Sequence, residues 1–221
     1  MTTRAHSGIS GNDASVPGGK RIGELEYEAA VAQGERDLLA ERTGRGVTLA
    51  RSSCPFAEAG RRRVGEESVK SCEGWKRGVL RWFRRHPGIE TVFFVNSTGY
   101  EFTDDAVAGY RAGLEALPPT VRRIVVLRDN PRAADDTLPC VGRALRDGEA
   151  PGERCALPRS EFLLPAPAAE AATGMERGRV IDLTSSFCDD APCFPVIGGA
   201  LVFKDTSHIT QVVSRTLGRF L

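Results

Sequence analysis

Apolar and polar positions change period several times along the chain, and each change marks an element. From Arg21 to Arg42, Leu25, Ala29, Ala32, Leu38 and Leu39 recur at helical spacing, and Gly44 stands where such a helix would end. "GVTLA" (46–50) then reads as a short strand. The segment 71–86 predicts a helix carrying Trp75, Val79, Leu80, Trp82 and Phe83 on or near one face, closed by Pro87. "TVFFVN" (91–96) is a continuous apolar run, the pattern of a strand buried on both faces.

The alternation repeats. A helix is expected over 104–117, with Thr103 as N-cap and Pro118-Pro119 as stop. A buried strand follows at "RIVVLRD" (123–129), then a helix at 160–173, a strand at 179–183, an apolar run at 200–203 and a closing helix from about His208. Strands alternating with helices predict βαβ units. The expected fold is α/β, a three-layer sandwich with a mainly parallel sheet covered on both faces. Residues 1–19, rich in Gly, Ser and Asp, predict a disordered tail, leaving 20–221 for one domain. A chain of 221 residues folding as one domain buries about 70% of its unfolded surface.

Charge removes one class of function. Thirty basic against 29 acidic residues leave a net +1, so no global field gathers nucleic acid, and no nucleic-acid partner is expected. Arg61-Arg62-Arg63 is local and reads as a solvated loop. No run approaches the roughly 18 apolar residues of a membrane span, and the first residues lack signal-peptide order. No membrane span or signal peptide is therefore expected in this chain.

The six cysteines, 54, 72, 140, 155, 188 and 193, fall into three local pairs without any Cys-x-x-Cys, which disfavours zinc. Cys54 with Cys72, Cys140 with Cys155 and Cys188 with Cys193 would each close a loop. Such bridges contribute about 2 to 4 kcal/mol apiece and persist outside the cytoplasm. Six free thiols in a cytosolic protein are the alternative.

In parallel sheets, ligands bind at the carboxyl ends of the strands. The residues expected there are Ser52 and Ser53, Asn96 and Ser97, Asp129 and Asn130, and finally Asp205 with His208. Asp-x-x-His on a turn lets the carboxylate orient the imidazole as a general base, while amide or hydroxyl donors hold an oxyanion. The alternative for His208 is the first turn of the last helix, capped by Thr206 or Ser207. His86, ahead of Pro87 at a helix end, reads as structural, and Trp75 and Trp82 as core packing. Asn96 could equally cap the turn into "STGYEF".

"RSSCPF", "CEGWKRGVLRWF", "VFFVN", "VVLRDNPR", "LPC" with "CALPR", "IDLTSSFC" and "LVFKDTSHITQVVSRTL" together resemble a known family. It is the SGNH-type (GDSL-like) hydrolase domain at the extracytoplasmic C-terminus of bacterial integral-membrane O-acyltransferases, and the resemblance covers about Leu38 to Leu221. It implies an O-acyltransferase or esterase acting on acyl, usually acetyl, esters of cell-surface polysaccharide, without metal or organic cofactor. The implied partners are an acyl donor, a carbohydrate acceptor and a membrane acyltransferase domain, and the implied location is the periplasm or cell surface.

Carried over by residue, His208 is the base, Asp205 its orienting acid, Asn96 the oxyanion-hole amide and Ser52 a backbone donor to the same oxyanion. The family's nucleophile lies in Gly-Asp-Ser after a first strand, and this sequence contains no Gly-Asp-Ser. By spacing, the motif falls near Ile22-Gly23-Glu24-Leu25. The serines of "SGNDAS" (10–15) follow no strand that would hold one on a sharp turn. The nucleophile is thus unassigned, and two further readings stay open: a catalytically inactive glycan- or partner-binding domain of the same fold, or a truncated or frame-shifted fragment of a membrane acyltransferase. A Rossmann-like nucleotide binder shares the alternation but lacks its Gly-rich turn, since "GISGNDASVPGG" follows no strand.

Overall fold

The computed structural model describes residues 46–62 and 64–220. The expected tail, the helix over 21–42 and the serines of 10–15 lie outside the described residues. The chain divides into two units, with the boundary between Cys54 and Pro55.

In the first unit, residues 46–50 do not form the predicted strand. Ser52 and Ser53 follow it, both exposed, with Ser53 in the left-handed region at φ 54°.

The second unit runs through α1 (Glu66–Arg85), β1 (Thr91–Val95), α2 (Ala106–Glu115), β2 (Arg123–Leu127), α3 (Thr137–Asp147) and α4 (Pro151–Arg154). After these come β3 (Leu157–Pro158), α5 (Arg159–Phe162), α6 (Pro167–Ala172), β4 (Gly178–Ile181), β5 (Pro192–Cys193), β6 (Val196–Ile197), β7 (Ala200–Leu201) and α7 (Gln211–Leu217). Strands β1, β2 and β4 form a parallel sheet in that order, with Val92 opposite Ile124 and Val126 opposite Val180.

The pattern of burial corrects one expectation. Central β2 is the strand that reads and behaves as buried, with Ile124 and Val126 fully enclosed. In β1, an edge among the described strands, only alternate residues turn inward: Phe94 packs on Phe56 and Tyr110, whereas Phe93 and Val95 are 41% and 63% exposed. An apolar run does not by itself bury both faces of an edge strand.

Other departures have local causes. Asp105, not Thr103, caps α2, its carboxylate accepting from Ala108 N–H at 3.0 Å, and the Thr103 amide instead donates to the Gly60 carbonyl. The helix expected over 160–173 is two short ones, because Pro165 and Pro167 interrupt it. The run at 200–203 does not join the parallel sheet. Gly198 and Gly199, at φ 57° and 79°, turn β6 back onto β7 as a tight antiparallel hairpin.

Packing of α2 depends on missing side chains. A Cβ on Gly113 would lie 2.5 Å from the Phe56 carbonyl oxygen, so its absence lets the segment ahead of α1 cross the helix. The opposing α6 is alanine-rich, with Ala168, Ala169, Ala171 and Ala172 buried against α2 and the sheet. A second cluster joins Phe187, the Cys188–Cys193 pair, Val202, Phe203 and Leu217 beneath the segment that carries Asp205 and His208.

Candidate active site

The hairpin β6–β7 and its continuation place the Asp-x-x-His. Val202 and Phe203 are fully buried, and Phe203 bridges to Ile209, so residues 204–208 form a closed protrusion anchored at both ends. The Lys204 amide donates to the His208 carbonyl, and the Thr210 amide to the Val202 carbonyl. Helix α7 begins only after Thr210, whose hydroxyl accepts from Val213 N–H. His208 therefore precedes the helix and is not in its first turn, and neither Thr206 nor Ser207 is the cap.

Within the protrusion, Asp205 Oδ1 accepts from the Ser207 amide at 2.9 Å and the His208 amide at 2.8 Å. Asp205 Oδ2 lies 2.8 Å from His208 Nδ1. The Ser207 amide, followed by the imidazole and the amide of His208, holds the Asp205 carboxyl well below the usual carboxylate range. An ionised carboxylate only accepts, so the contact puts a proton on Nδ1 and leaves Nε2 of the neutral ring as the proton acceptor. The His208 side chain is 58% exposed. Chemically, this is an oriented base. Ser207 Oγ lies 3.2 Å from Nδ1, the nitrogen that faces the aspartate rather than Nε2.

Asn96 stands at the carboxyl end of β1, part-buried, with its Nδ2 donating to Tyr110 Oη at 3.0 Å and to the Ser97 carbonyl at 3.1 Å. Tyr110 is fully enclosed, and burial pushes its phenol above the ordinary range, so it remains protonated at any working pH. The loop after Asn96 is tied to the loop after β2, because Asp129 Oδ2 accepts from the Thr98 amide at 2.8 Å and the Thr98 hydroxyl at 3.0 Å. That second loop is tied in turn to the protrusion, through the Ala133 amide donating to the Thr206 carbonyl at 2.9 Å. Two hydrogen-bonded steps thus connect the Asn96 loop with the Asp205–His208 turn at one end of the sheet. Asp182 follows β4 at the same end, near Arg128.

Ser52 belongs to the first unit, where it is exposed. His86 is structural, its Nδ1 2.7 Å from the Trp82 carbonyl and its ring stacked on Trp82. Arg61 and Arg62 are not merely solvated, since Arg61 covers the Tyr100 ring and Arg62 donates to the Phe102 carbonyl. Cys140–Cys155 and Cys188–Cys193 are disulfides, and Cys54 and Cys72 are disulfide-bonded as well. Among the described residues, no three of His, Cys, Asp and Glu converge in a way that could hold a metal ion. None of the described helices is long and apolar enough to cross a membrane. Sequence reasoning missed the role of Tyr110 behind Asn96. The signal available was position, a tyrosine one helical turn into the element that follows the strand.

A parallel-sheet α/β fold with an Asp–His pair on a protrusion ahead of the last helix defines an SGNH-type domain. The chain belongs to the family described as the SGNH domain fused to AT3 domains, whose profile matches residues 28–221. The match begins earlier than Leu38, where the quoted motifs place the onset. No curated protein matches the chain. Among solved structures it is similar to the periplasmic domain of a lipopolysaccharide acetyltransferase from Salmonella ser. Paratyphi A. The two are 13% identical with a TM-score of 0.53, over 87% of this chain and 79% of that one, a likeness of fold.

Proposed function

We infer that this domain carries out acyl transfer or ester hydrolysis on cell-surface carbohydrate, outside the cytoplasm and beside a membrane acyltransferase domain that delivers the acyl group. The observation that carries the inference is the Asp205–His208 contact, which presents Nε2 as a base held by an ionised carboxylate. His208 would take the proton of a serine hydroxyl as it attacks the acyl carbonyl and return it to the leaving oxygen. Asn96 would stabilise the resulting oxyanion. Its Tyr110 bond holds the carboxamide in place, while the N–H now on the Ser97 carbonyl turns to the developing charge. The location fits the disulfides, which persist in oxidising compartments, and the periplasmic location of the Salmonella domain.

The absence of Gly-Asp-Ser favours a second reading, an inactive member of the fold that binds a glycan or a partner without turnover. A fluorophosphonate probe separates the two. Peptide mass spectrometry of the oxidised protein should find label on one serine, and none in His208→Ala. An unlabelled protein with all three disulfides intact would establish the second reading instead.

A further inference from the structure

Arg132 is the arginine at this end of the sheet whose charge the fold does not use. Arg128 donates to the Leu164 carbonyl and lies near Asp182, and Arg159 donates to the Asp189 carbonyl. Arg132 is half-buried, yet among the described residues only its main-chain amide is engaged, with the Phe162 carbonyl. Its guanidinium has five N–H donors, and none of its nitrogens is both buried and unpartnered, so they stand open to an acceptor from outside. The nearby carboxylate is already committed. Asp129 accepts from the Thr98 amide and hydroxyl through Oδ2 and from the Asn130 amide through Oδ1.

Its position connects the two halves of the candidate site. The next residue, Ala133, is hydrogen-bonded to Thr206, inside the turn that holds Asp205 and His208. The tip of the side chain reaches the other half: Nη1 lies 2.8 Å from where a Cβ on Gly99 would stand, a point 3.5 Å from Ser97 Oγ. Gly99 is thus a glycine in the loop beside Asn96 whose missing side chain leaves room for a guanidinium.

We propose that Arg132 binds an anionic group, a carboxylate or phosphate, on the carbohydrate that the domain acts upon, so that the substrate is an acidic rather than a neutral glycan. A planar guanidinium matches either anion with paired N–H···O bonds, a geometry that a point-charge ammonium does not offer. The proposal rests on the carbohydrate reading of the site but not on turnover, because binding alone reveals it.

The test is titration of the full chain with galacturonate, galactose 6-phosphate and galactose, followed by NMR. The wild type should bind at least one acidic sugar about tenfold more tightly than galactose, on the order of one charge-assisted pair, with shifts at Ser97–Gly99 and Arg132–Ala133. That preference should vanish in Arg132→Gln. It should vanish also in Gly99→Ala, where the new methyl displaces the end of a flexible side chain and no backbone. It should persist in Arg122→Gln, a change at an exposed arginine beside Glu90. Preference for one acidic sugar over the other identifies the anion as carboxylate or phosphate. Equal binding of acidic and neutral sugars, no saturable binding of either acidic sugar, or a preference that survives Arg132→Gln overturns the proposal. Hydrolysis of 4-nitrophenyl acetate by the same samples keeps the two claims apart: preference without turnover leaves the anion site standing and removes the catalytic reading, and turnover without preference does the reverse.

Discussion

Asp205 shows how a single exposed carboxylate is made into a fixed part of a site. Two backbone amides and an imidazole converge on it, and each stabilises the charged form. Because its folded pKa is depressed, the stability it contributes is fully present above the ordinary carboxylate value of about 3.9 and is lost only as pH falls below that, through the folded pKa. The carboxyl carbon resonance of Asp205 should therefore show its own titration step well below about 3.9; a step at the ordinary value would mean the turn does not hold the carboxylate as described. Asp205→Asn should abolish that transition. If acyl transfer is confirmed, the same change should lower kcat about a thousandfold with little effect on KM, because an amide favours the wrong imidazole tautomer. Tyr110→Phe acts one step back. It removes the acceptor that holds Asn96 and should cost about 1 kcal/mol of stability in urea unfolding, while kcat falls roughly tenfold. Unchanged kcat would show that Asn96 needs no support from behind.

At the scale of elements, Arg177 is the clearest single support. Its guanidinium donates to the carbonyls of Pro118, Val121, Glu115 and Leu117, with a longer contact to Leu114, gathering the end of α2 and the approach to β2 just before β4 begins. Arg177→Met should lower stability by about 2 to 4 kcal/mol in denaturant titration, and Arg177→Lys should recover only part of it, since one ammonium cannot span the same set of acceptors. Full recovery by lysine would mean that charge, not the fork, is what matters. None of this was legible in the sequence, where Arg177 is an unremarkable polar residue between Glu176 and a glycine. What could be read was periodicity: β1, α2, β2 and β4 fall where the apolar spacing predicts them, and α1 overlaps its predicted span but begins at Glu66, five residues ahead of Ser71. The misplaced boundaries follow from competition between local signals, a carboxylate at 105 capping better than a hydroxyl at 103, and two prolines dividing one helical run.

For the whole molecule, the same distinction separates what could be foreseen from what could not. Asp205 and His208 stood out because their spacing is itself the chemical signal, whereas Tyr110, Gly99 and Arg132 matter through contacts between segments far apart in the chain. Disulfides were legible for the first reason, as local pairs, and they yield a prediction at this scale. Cys140–Cys155 ties α3 to the end of α4 at a sequence separation of 15, around a small buried cluster of Val141, Ala144 and Cys155. Constraining the unfolded chain over a loop of that length is worth about 3 kcal/mol. A Cys140→Ala/Cys155→Ala protein should therefore lose about that amount in urea unfolding. The loss should stay in the scaffold: this pair lies in a cluster separate from the one beneath Asp205 and His208, so the amide shifts of Ser207 and His208 should remain those of the native protein. If those shifts move with the bridge removed, the α3–α4 layer helps shape the candidate site and the two clusters act as one core.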